Sequence, residues 1–264
     1  MSNRIDTLFE KKKEGILSVY FTAGYPNLED TIPILQSLQN AGCDMVEIGM
    51  PFSDPLADGP VIQHSSTVAL SNGMSIKKLL LQLKDFRKQI HLPVLLMGYM
   101  NPVVQYGIDK FCSDASAVGV DGLIIPDMPL DIYQDQYAAL FKKYNLHQAL
   151  LITPRTGEAR IHEIEKSSGG FIYAVSSSST TGSVSADKKK QQDYFERLKS
   201  LRLKKPVMIG FGIGNREQFQ FACRYAQGGI IGTAFIKHIE QYPNLENSIP
   251  QFIQSIRHDH TVNG

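Results

Sequence analysis

The chain has 264 residues, of which 42% are hydrophobic, and its formal net charge at pH 7 is +1. This length suits one large hydrophobic core or two small ones. The near-neutral charge argues against a broad electrostatic surface for nucleic acid or an anionic membrane, so neither is expected as a partner. The short basic runs Lys11–Lys13 and Lys188–Lys190 are typical of solvated helix surfaces.

The cysteines and the chain start bear on the cellular compartment. Cys43, Cys112 and Cys223 are odd in number, widely spaced and form no Cys-x-x-Cys pair. Neither a disulfide framework nor a structural zinc site is therefore expected. The first ten residues are too polar for a secretory signal, and apolar runs such as Leu92–Met97 are too short to span a bilayer. We expect reduced thiols and a cytoplasmic location.

Short apolar runs recur along the chain, and eight of them predict strands. Several are continuously apolar, which is typical of strands buried on both faces of a parallel sheet. The predicted strands are Leu17–Thr22, Asp44–Gly49, Pro93–Gly98, Gly122–Pro126, Gln148–Ile152, Phe171–Val175, Pro206–Gly210 and Gly228–Gly232.

Segments with the period of an α-helix separate these strands. One follows a predicted N-cap at Ser75, another covers residues 130–144 and a third covers residues 245–256. Pro33 predicts a helix that begins close to it, after a cap at Asn27, because proline suits only the first turn of a helix.

The alternation of strands and helices predicts the fold class. Eight units in a chain of this length favour an α/β fold, a single-domain (β/α)8 TIM barrel over residues 1–264 with an extra N-terminal helix. An open doubly wound sheet is the alternative. No linker or low-complexity tract marks a domain boundary, and Ser176–Ser179 is interpreted as a loop after the sixth strand.

In a barrel of this type the active site lies at the carboxyl-terminal ends of the strands. No predicted strand ends in a lysine, so Schiff-base chemistry lacks its nucleophile. No predicted strand ends in a histidine either, so a metal site built on imidazole is not expected. These residues favour acid–base chemistry by carboxylates in an aromatic and apolar pocket.

Glu47 is the leading catalytic candidate. It lies in the apolar run Met45–Ile48, where an ionised carboxylate costs several kcal/mol unless it is paired or functional, on the order of known burial penalties. The period of two places Met45 and Glu47 on one face of the strand and Val46 and Ile48 on the other. Glu47 should then point into the barrel mouth with a raised pKa. A paired structural glutamate is the alternative.

Three further side chains have two interpretations each. Asp58 lies in a Pro-, Asp- and Gly-rich loop that can fold over the barrel mouth, yet Asp-Gly alone is typical of a turn. Asp127, in the run Ile125–Pro129, is interpreted as a helix cap or a surface contact. Tyr173 is either a core residue or part of the site.

Glycine-rich turns predict a phosphate site. Gly210–Gly214 follows the seventh strand and leads into a helix, Gly232–Thr233 ends the eighth strand, and Thr181–Gly182 lies in an earlier loop. Exposed N–H groups at helix starts bind phosphate, and the loops after strands seven and eight are the usual place in these barrels. A dinucleotide fold is disfavoured, because the Gly-x-Gly pattern follows the seventh strand and no acidic residue ends the next.

The longest distinctive motif runs from Glu47 to Pro60 and reads EIGMPFSDPLADGP. With it, the chain closely resembles the alpha subunit of tryptophan synthase from about residue 8 to residue 240. The supporting motifs, in the same order as in that family, are Phe21–Pro26, Gly122–Pro129, Thr181–Gly182 and Gly210–Ile213.

The resemblance implies a lyase of L-tryptophan biosynthesis that cleaves indole-3-glycerol phosphate into indole and glyceraldehyde 3-phosphate. Glu47 matches the acid–base glutamate of the family and Asp58 its second catalytic carboxylate. The matches to the substrate pocket are Tyr20, Met97, Ile124, Tyr173, Thr181 and Phe211, and those to the phosphate-binding turns are Gly182, Gly212, Gly232 and Thr233.

The resemblance also implies a partner. The family acts in an α2β2 complex with a beta subunit that carries pyridoxal phosphate, and indole passes between the two subunits through a tunnel. No cofactor and no metal are expected in this chain. One departure concerns the loop after the sixth strand: the family often has Ser-Arg-x-Gly-Val-Thr-Gly, whereas Ser176–Gly182 lacks the arginine and the first glycine. The coupling of this loop to the partner is left open.

Three other functions are compatible with parts of the pattern. The chain could release indole without a partner, or act only as a scaffold that activates the partner, although intact Glu47 and Asp58 argue against the latter. It could also be another phosphate-binding barrel, such as a sugar-phosphate isomerase or epimerase. Those enzymes usually need a histidine, a lysine or a metal at the strand ends, and these are missing here.

Overall fold

Parallel strands form the centre of the molecule. The computed structural model describes residues 3–176, 184–210 and 212–257. Within them the strands are β1 (Ile16–Thr22), β2 (Met45–Gly49), β3 (Val94–Met97), β4 (Gly122–Ile124), β5 (His147–Gln148), β6 (Leu150–Ile152), β7 (Ile172–Val175), β8 (Val207–Gly210) and β9 (Gly228–Ile231). They form one sheet in the order β5-β4-β3-β2-β1-β9-β8-β7-β6, and every neighbouring pair is parallel.

The fifth predicted strand joins the two edges of this sheet. It is divided at Ala149 into β5, which pairs with β4, and β6, which pairs with β7. The Ala149 N–H still donates to the Leu123 carbonyl oxygen at 3.0 Å, so one segment contacts both edges. The expected (β/α)8 barrel is confirmed, and the bounds of the other strands lie within two residues of the predicted ones.

Helices surround the strands. Those in the described residues are α1 (Arg4–Lys11), α2 (Thr31–Asn40), α3 (Pro60–Ser71), α4 (Ile76–Gln82), α5 (Met100–Tyr106), α6 (Ile108–Val118), α7 (Leu130–Ile132), α8 (Ala138–Lys143), α9 (Glu158–Ser167), α10 (Val184–Ser200), α11 (Arg216–Cys223), α12 (Thr233–Gln241) and α13 (Leu245–Arg257). A 3-10 segment, Leu83–Lys88, follows α4, and a π-helical segment, Tyr133–Tyr137, joins α7 to α8. None of these helices combines the length and apolarity needed to cross a membrane.

One of the two predicted caps is wrong. Ser75 caps α4 as expected, because its side chain accepts a hydrogen bond from the Lys78 N–H. Asn27 does not cap α2, which begins at Thr31 with Asp30 in the cap position. Instead the Asn27 N–H donates to Asp30 Oδ2 at 3.0 Å, a hydrogen bond within the turn that precedes the helix.

The N-terminal helix α1 closes one end of the barrel. Its Ile5 and Phe9 belong to the apolar cluster inside the strands, and the Phe9 ring lies 5.9 Å from the Phe171 ring between centroids. Arg4 forms an ion pair at 2.9 Å with Asp121, which precedes β4. The amino-terminal end of the barrel is therefore plugged, and a site has room only at the carboxyl-terminal end.

Alternate residues of each strand fill two separate apolar clusters. In β2, Met45 lies in the cluster inside the barrel, whereas Val46 and Ile48 lie in the outer cluster between strands and helices. Glu47 is fully buried and follows the same period as Met45, so its side chain lies inside the barrel. The sequence predicted that it points into the barrel mouth, whereas its hydrogen bond with Ser18 directs the carboxyl group toward the deeper layer of Ser18 and Met45.

Candidate active site

A cavity of about 300 Å³ opens at the carboxyl-terminal end of the barrel. Its walls come from strand ends, from the loop before α3 and from the turns that lead into α11 and α12. The sequence-predicted residues that line it are Tyr20, Asp58, Met97, Tyr173, Gly212, Gly232 and Thr233.

Glu47 lies beneath this cavity rather than in its wall. Its Oε1 accepts a hydrogen bond from Ser18 Oγ at 3.0 Å, and its Oε2 has no hydrogen-bond partner within the described part of the chain. Burial raises the pKa of Glu47 to about 8, although the Ser18 hydroxyl works in the opposite direction. At neutral pH most of the protein therefore carries a protonated Glu47, which can donate a proton.

Two tyrosines lie next to the carboxylates. Tyr20 is the direct neighbour of Glu47 in the β1–β2 ladder, and Tyr173 lies in β7. Burial, followed by the charges of nearby groups that include Glu47 and Asp58, raises the pKa of both phenols, so both remain protonated at neutral pH. Tyr20 and Tyr173 therefore form an apolar, uncharged wall beside both carboxyl groups.

Two glycines make space for these tyrosine rings. A Cβ atom at Gly49 would lie 2.1 Å from the Tyr20 hydroxyl oxygen, and one at Gly210 would lie 2.2 Å from the Tyr173 hydroxyl oxygen. Real Cβ atoms do not approach other heavy atoms this closely. The ends of β2 and β8 therefore need glycine so that the rings can lie across the strands.

Asp58 is held at the cavity edge by two neighbours. The Tyr99 hydroxyl donates to Asp58 Oδ2 at 3.1 Å, and the Gln63 side-chain amide donates to the Asp58 carbonyl oxygen at 2.8 Å. Partial burial raises the pKa of Asp58, and the Tyr99 hydrogen bond lowers it. Asp58 lines the same cavity as the two tyrosines.

The turns after β8 and β9 form the opposite side of the cavity. Gly212 has a φ of +75°, a conformation that favours glycine. Gly232 directly precedes α12 and supplies no side-chain cap, so no cap side chain satisfies the first N–H groups of this helix within the described part of the chain. At the start of α11, the Gly214 N–H donates to Gln218 Oε1 at 2.8 Å.

Other predicted site residues are either placed away from the cavity or lie outside the described residues. Ile124 ends β4 and is fully buried in the cluster inside the barrel. Thr181, Gly182 and Phe211 lie outside the described residues. Asp127 is a cap, since its carboxylate accepts the Met100 N–H at 2.9 and 3.1 Å at the start of α5.

The cavity also contains residues that the sequence did not single out. Lys237 lies four positions after Thr233 in α12, a spacing that places both on one helix face. The four-residue spacing between Thr233 and Lys237 could have predicted a cation near this turn. Ile62 and Gln218 lie in the first turns of α3 and α11, and no sequence pattern predicts that they line the cavity. Within the described residues, no group of three or more His, Cys, Asp or Glu side chains could hold a metal ion.

The fold and this geometry define a (β/α)8-barrel protein with a carboxylate-containing cavity at the carboxyl-terminal end of its strands. More specifically, the chain belongs to the tryptophan synthase alpha chain family, whose sequence profile matches residues 7–261. The expected membership in a family of lyases of tryptophan biosynthesis is confirmed.

Relatives and solved structures match over nearly their whole lengths. The tryptophan synthase alpha chain of Flavobacterium johnsoniae is 51% identical over 97% of this chain and 100% of that protein. The tryptophan synthase alpha chain of Christiangramia forsetii is 49% identical over 97% of this chain and 98% of that protein. The crystal structure of the alpha subunit from Legionella pneumophila str. Paris has a TM-score of 0.88 at 33% identity, covering 97% and 98%. A crystal structure of tryptophan synthase from M. tuberculosis, in its aminoacrylate-bound form, has a TM-score of 0.84 at 27% identity, with the same coverage.

Proposed function

We propose that this chain cleaves indole-3-glycerol phosphate to indole and glyceraldehyde 3-phosphate. The observation that carries this proposal is the buried Glu47, whose one hydrogen bond among the described residues is to Ser18, next to a cavity that Asp58 lines on one side and two glycine turns line on the other. The barrel over residues 1–264 acts as one domain in this proposal.

The reaction needs a proton to be added and another to be removed. Cleavage requires protonation of the indole ring at C3, the carbon that bears the glycerol chain. It also requires loss of the proton from the adjacent glycerol hydroxyl, whose electrons form the carbonyl group as the carbon–carbon bond breaks. Protonated Glu47 supplies the first proton, and the resulting carboxylate then accepts the second. Its pKa of about 8 suits both steps near neutral pH.

Glu47 has to turn toward the substrate for this chemistry. Ser18, its hydrogen-bond donor, pairs with Met45 in the ladder and therefore lies one layer deeper in the barrel than Tyr20. The carboxyl group is thus directed away from the mouth. Rotation of the Glu47 side chain exchanges the Ser18 hydrogen bond for contact with the bound ring.

Asp58 stabilises the protonated ring. Protonation at C3 places positive charge on the indole nitrogen, and an ionised carboxylate that accepts the indole N–H offsets this charge. A well-placed group of this type contributes roughly 3–4 kcal/mol to the transition state. The indole ring packs against Tyr20, Met97 and Tyr173, which line the cavity.

The phosphate group binds at the opposite side of the cavity. Main-chain N–H groups of the turns at Gly212 and Gly232–Thr233, together with Gly182, hold it, and the positive end of the α12 dipole favours its charge. A phosphate or sulfate soak of crystals tests this assignment. We expect an anion beside Gly212 and Gly232, and an anion bound elsewhere with these turns empty would contradict it.

We further propose that the chain works in the cytoplasm with a beta subunit in an α2β2 complex. The pyridoxal phosphate of that complex belongs to the beta subunit, and this chain contributes no cofactor. Two observations support the partner: the family of the chain, and the match to the M. tuberculosis tryptophan synthase structure.

The lyase assay tests the proposed function directly. Purified protein is given indole-3-glycerol phosphate, and indole release is measured with the beta subunit added and omitted. We expect turnover in both cases and faster turnover with the partner. Absence of indole release under both conditions would contradict the proposal, and equal rates would remove the partner from it.

A further inference from the structure

The loop that carries Asp58 runs from the end of β2 to the start of α3 and is largely exposed. Leu56, near its tip, is 92% exposed. The backbone is held locally by the Asp58 N–H, which donates to the Pro55 carbonyl oxygen at 3.0 Å, and by the Gln63 amide, which donates to the Asp58 carbonyl oxygen. Neither hydrogen bond fixes the orientation of the Asp58 carboxylate.

Tyr99 provides that orientation through a single hydroxyl group. The Ala57 N–H donates to the Tyr99 hydroxyl oxygen at 3.0 Å, and the same hydroxyl donates to Asp58 Oδ2 at 3.1 Å. The Tyr99 ring also packs on Phe52, with centroids 5.5 Å apart. One side chain therefore contacts both the beginning and the end of the loop.

The backbone at Tyr99 is held by contacts outside the loop. Tyr99 occupies the N-cap position of α5, directly after β3. The next N–H group, that of Met100, is fixed by the Asp127 carboxylate from the turn after β4. The phenol therefore rests on two neighbouring turns of the barrel.

We propose that Tyr99 is a positioning residue, whose hydroxyl orients the Asp58 carboxylate toward the substrate. This inference rests on the proposed function of Asp58. Tyr99→Phe keeps the ring on Phe52 and removes only the hydroxyl, so the fold is retained while the carboxylate becomes free to rotate. Misplacement of a catalytic group by about 1 Å can cost on the order of 100-fold in rate.

The first measurement compares kcat with KM for cleavage of indole-3-glycerol phosphate. We expect Tyr99→Phe to lower kcat by roughly 10- to 100-fold with KM changed less than about threefold, because the phosphate turns are untouched. Tyr106→Phe is the matched control: its hydroxyl also donates to an aspartate, Asp114, at 2.6 Å, but on an outer helix. The control should leave kcat unchanged.

A double variant separates positioning from an independent effect. In the Asp58→Asn background, removal of the Tyr99 hydroxyl should lower kcat by less than about twofold more, because the group that it orients has already lost its charge. A full 10- to 100-fold further loss in the double variant would overturn the proposal, as would a wild-type kcat in Tyr99→Phe alone.

A third measurement needs no turnover. The titratable groups that face Asp58 are Tyr20, Tyr99 and Tyr173, and Lys237 lines the same cavity. The Tyr99 hydrogen bond lowers the pKa of Asp58, so Tyr99→Phe should raise its titration midpoint, measured by NMR of ¹³C-labelled aspartate carboxyls.

The NMR titration and the lyase assay test different claims, so either claim can be contradicted without the other. An unshifted Asp58 titration in Tyr99→Phe would overturn the contact and the positioning role even in an active enzyme. An inactive wild-type protein with a shifted titration would instead overturn the proposed function while leaving the hydroxyl as the group that orients Asp58.

Discussion

The two sides of the cavity are made from different parts of the polypeptide. On one side, side chains supply the chemistry: Asp58, Tyr20 and Tyr173 lie around the fully buried Glu47. On the other side, the backbone supplies it, at the turns that contain Gly212 and Gly232. The first side buries Glu47 and raises the pKa of this acid, whereas the second is built from glycine turns that lead into helices.

This difference predicts how each side responds to substitution. Buried acid–base groups act on the reacting bond, so their loss should lower kcat. Backbone turns bind a group that does not react, so their distortion should mainly raise KM. A substitution of a buried acid–base group that mainly raised KM, or of a backbone turn that mainly lowered kcat, would contradict this difference between the two sides.

The largest expected effect is that of Glu47→Gln. Glutamine fits the same space and can keep the Ser18 hydrogen bond, but it cannot exchange a proton, so kcat should fall by roughly 100- to 10,000-fold with KM little changed. Steady-state indole release checks this, with Glu163→Gln on the surface of α9 as the control. Substantial turnover in Glu47→Gln would remove Glu47 from the mechanism.

The same variant also has a stability signature. The folded pKa of Glu47, about 8, lies above the ordinary value of 4.5, so the unfolded chain loses this proton first as pH rises. The contribution of Glu47 to stability is complete below about pH 4.5 and is lost as pH rises through 8. Denaturant unfolding should therefore show Glu47→Gln gaining stability relative to wild type between pH 5 and pH 9.

Asp58→Asn should have the next largest effect. Asparagine keeps the size of the side chain but loses the charge that offsets the protonated indole nitrogen, so kcat should fall by roughly 100- to 1,000-fold. Substrate binding should persist, because the phosphate turns are intact, and calorimetry with the inactive variant can measure it. Wild-type turnover would return Asp58 to the interpretation as a plain turn residue.

At the backbone side, Gly212→Ala should mainly raise KM. Among the described residues, a Cβ atom there would meet Ser176 Oγ alone, at 3.6 Å, so the change introduces strain at φ +75° rather than a clash with them. Strain of roughly 1–2 kcal/mol should change the turn and raise KM by about tenfold, with kcat within about threefold. Gly15→Ala is the matched control, because Gly15 has a φ of +66° with open space around it before β1, at the opposite end of the barrel.

The sequence predicted features that depend on a repeating pattern or on residues next to each other in the chain. The period of two placed Glu47 on the inward face of β2 with Met45, although its carboxyl group is directed toward Ser18 and not toward the mouth. Glycines next to helix starts marked two turns that line the cavity, at Gly212 and Gly232, and phosphate binding there stays a prediction. These patterns depend on neighbours within a few residues, so the sequence alone contains them.

Features that depend on distant contacts were not predicted. The Tyr99–Asp58 and Ser18–Glu47 hydrogen bonds connect residues 41 and 29 positions apart. The division of the fifth strand at Ala149 likewise depends on strands at both edges of the sheet. The cap at Asn27 was wrong because α2 begins only at Thr31, and Asp30, in the cap position, accepts from the Asn27 N–H instead of capping the helix with its side chain.

The smallest expected effect is a shift in the pH dependence of kcat/KM, which distinguishes the two sides of the cavity. Glu47 must be protonated in the free enzyme to act as an acid, so kcat/KM should fall as pH rises through about 8. Ser18→Ala removes a hydrogen bond that lowers this pKa, so the alkaline limb should move to higher pH. The ratio of kcat/KM at pH 9 to kcat/KM at pH 7 should then be severalfold higher than in the wild type. The substrate phosphate titrates near pH 6, so changes that arise at the backbone side should appear on the acidic limb instead. An alkaline limb that does not move in Ser18→Ala would show that a group other than Glu47 produces it.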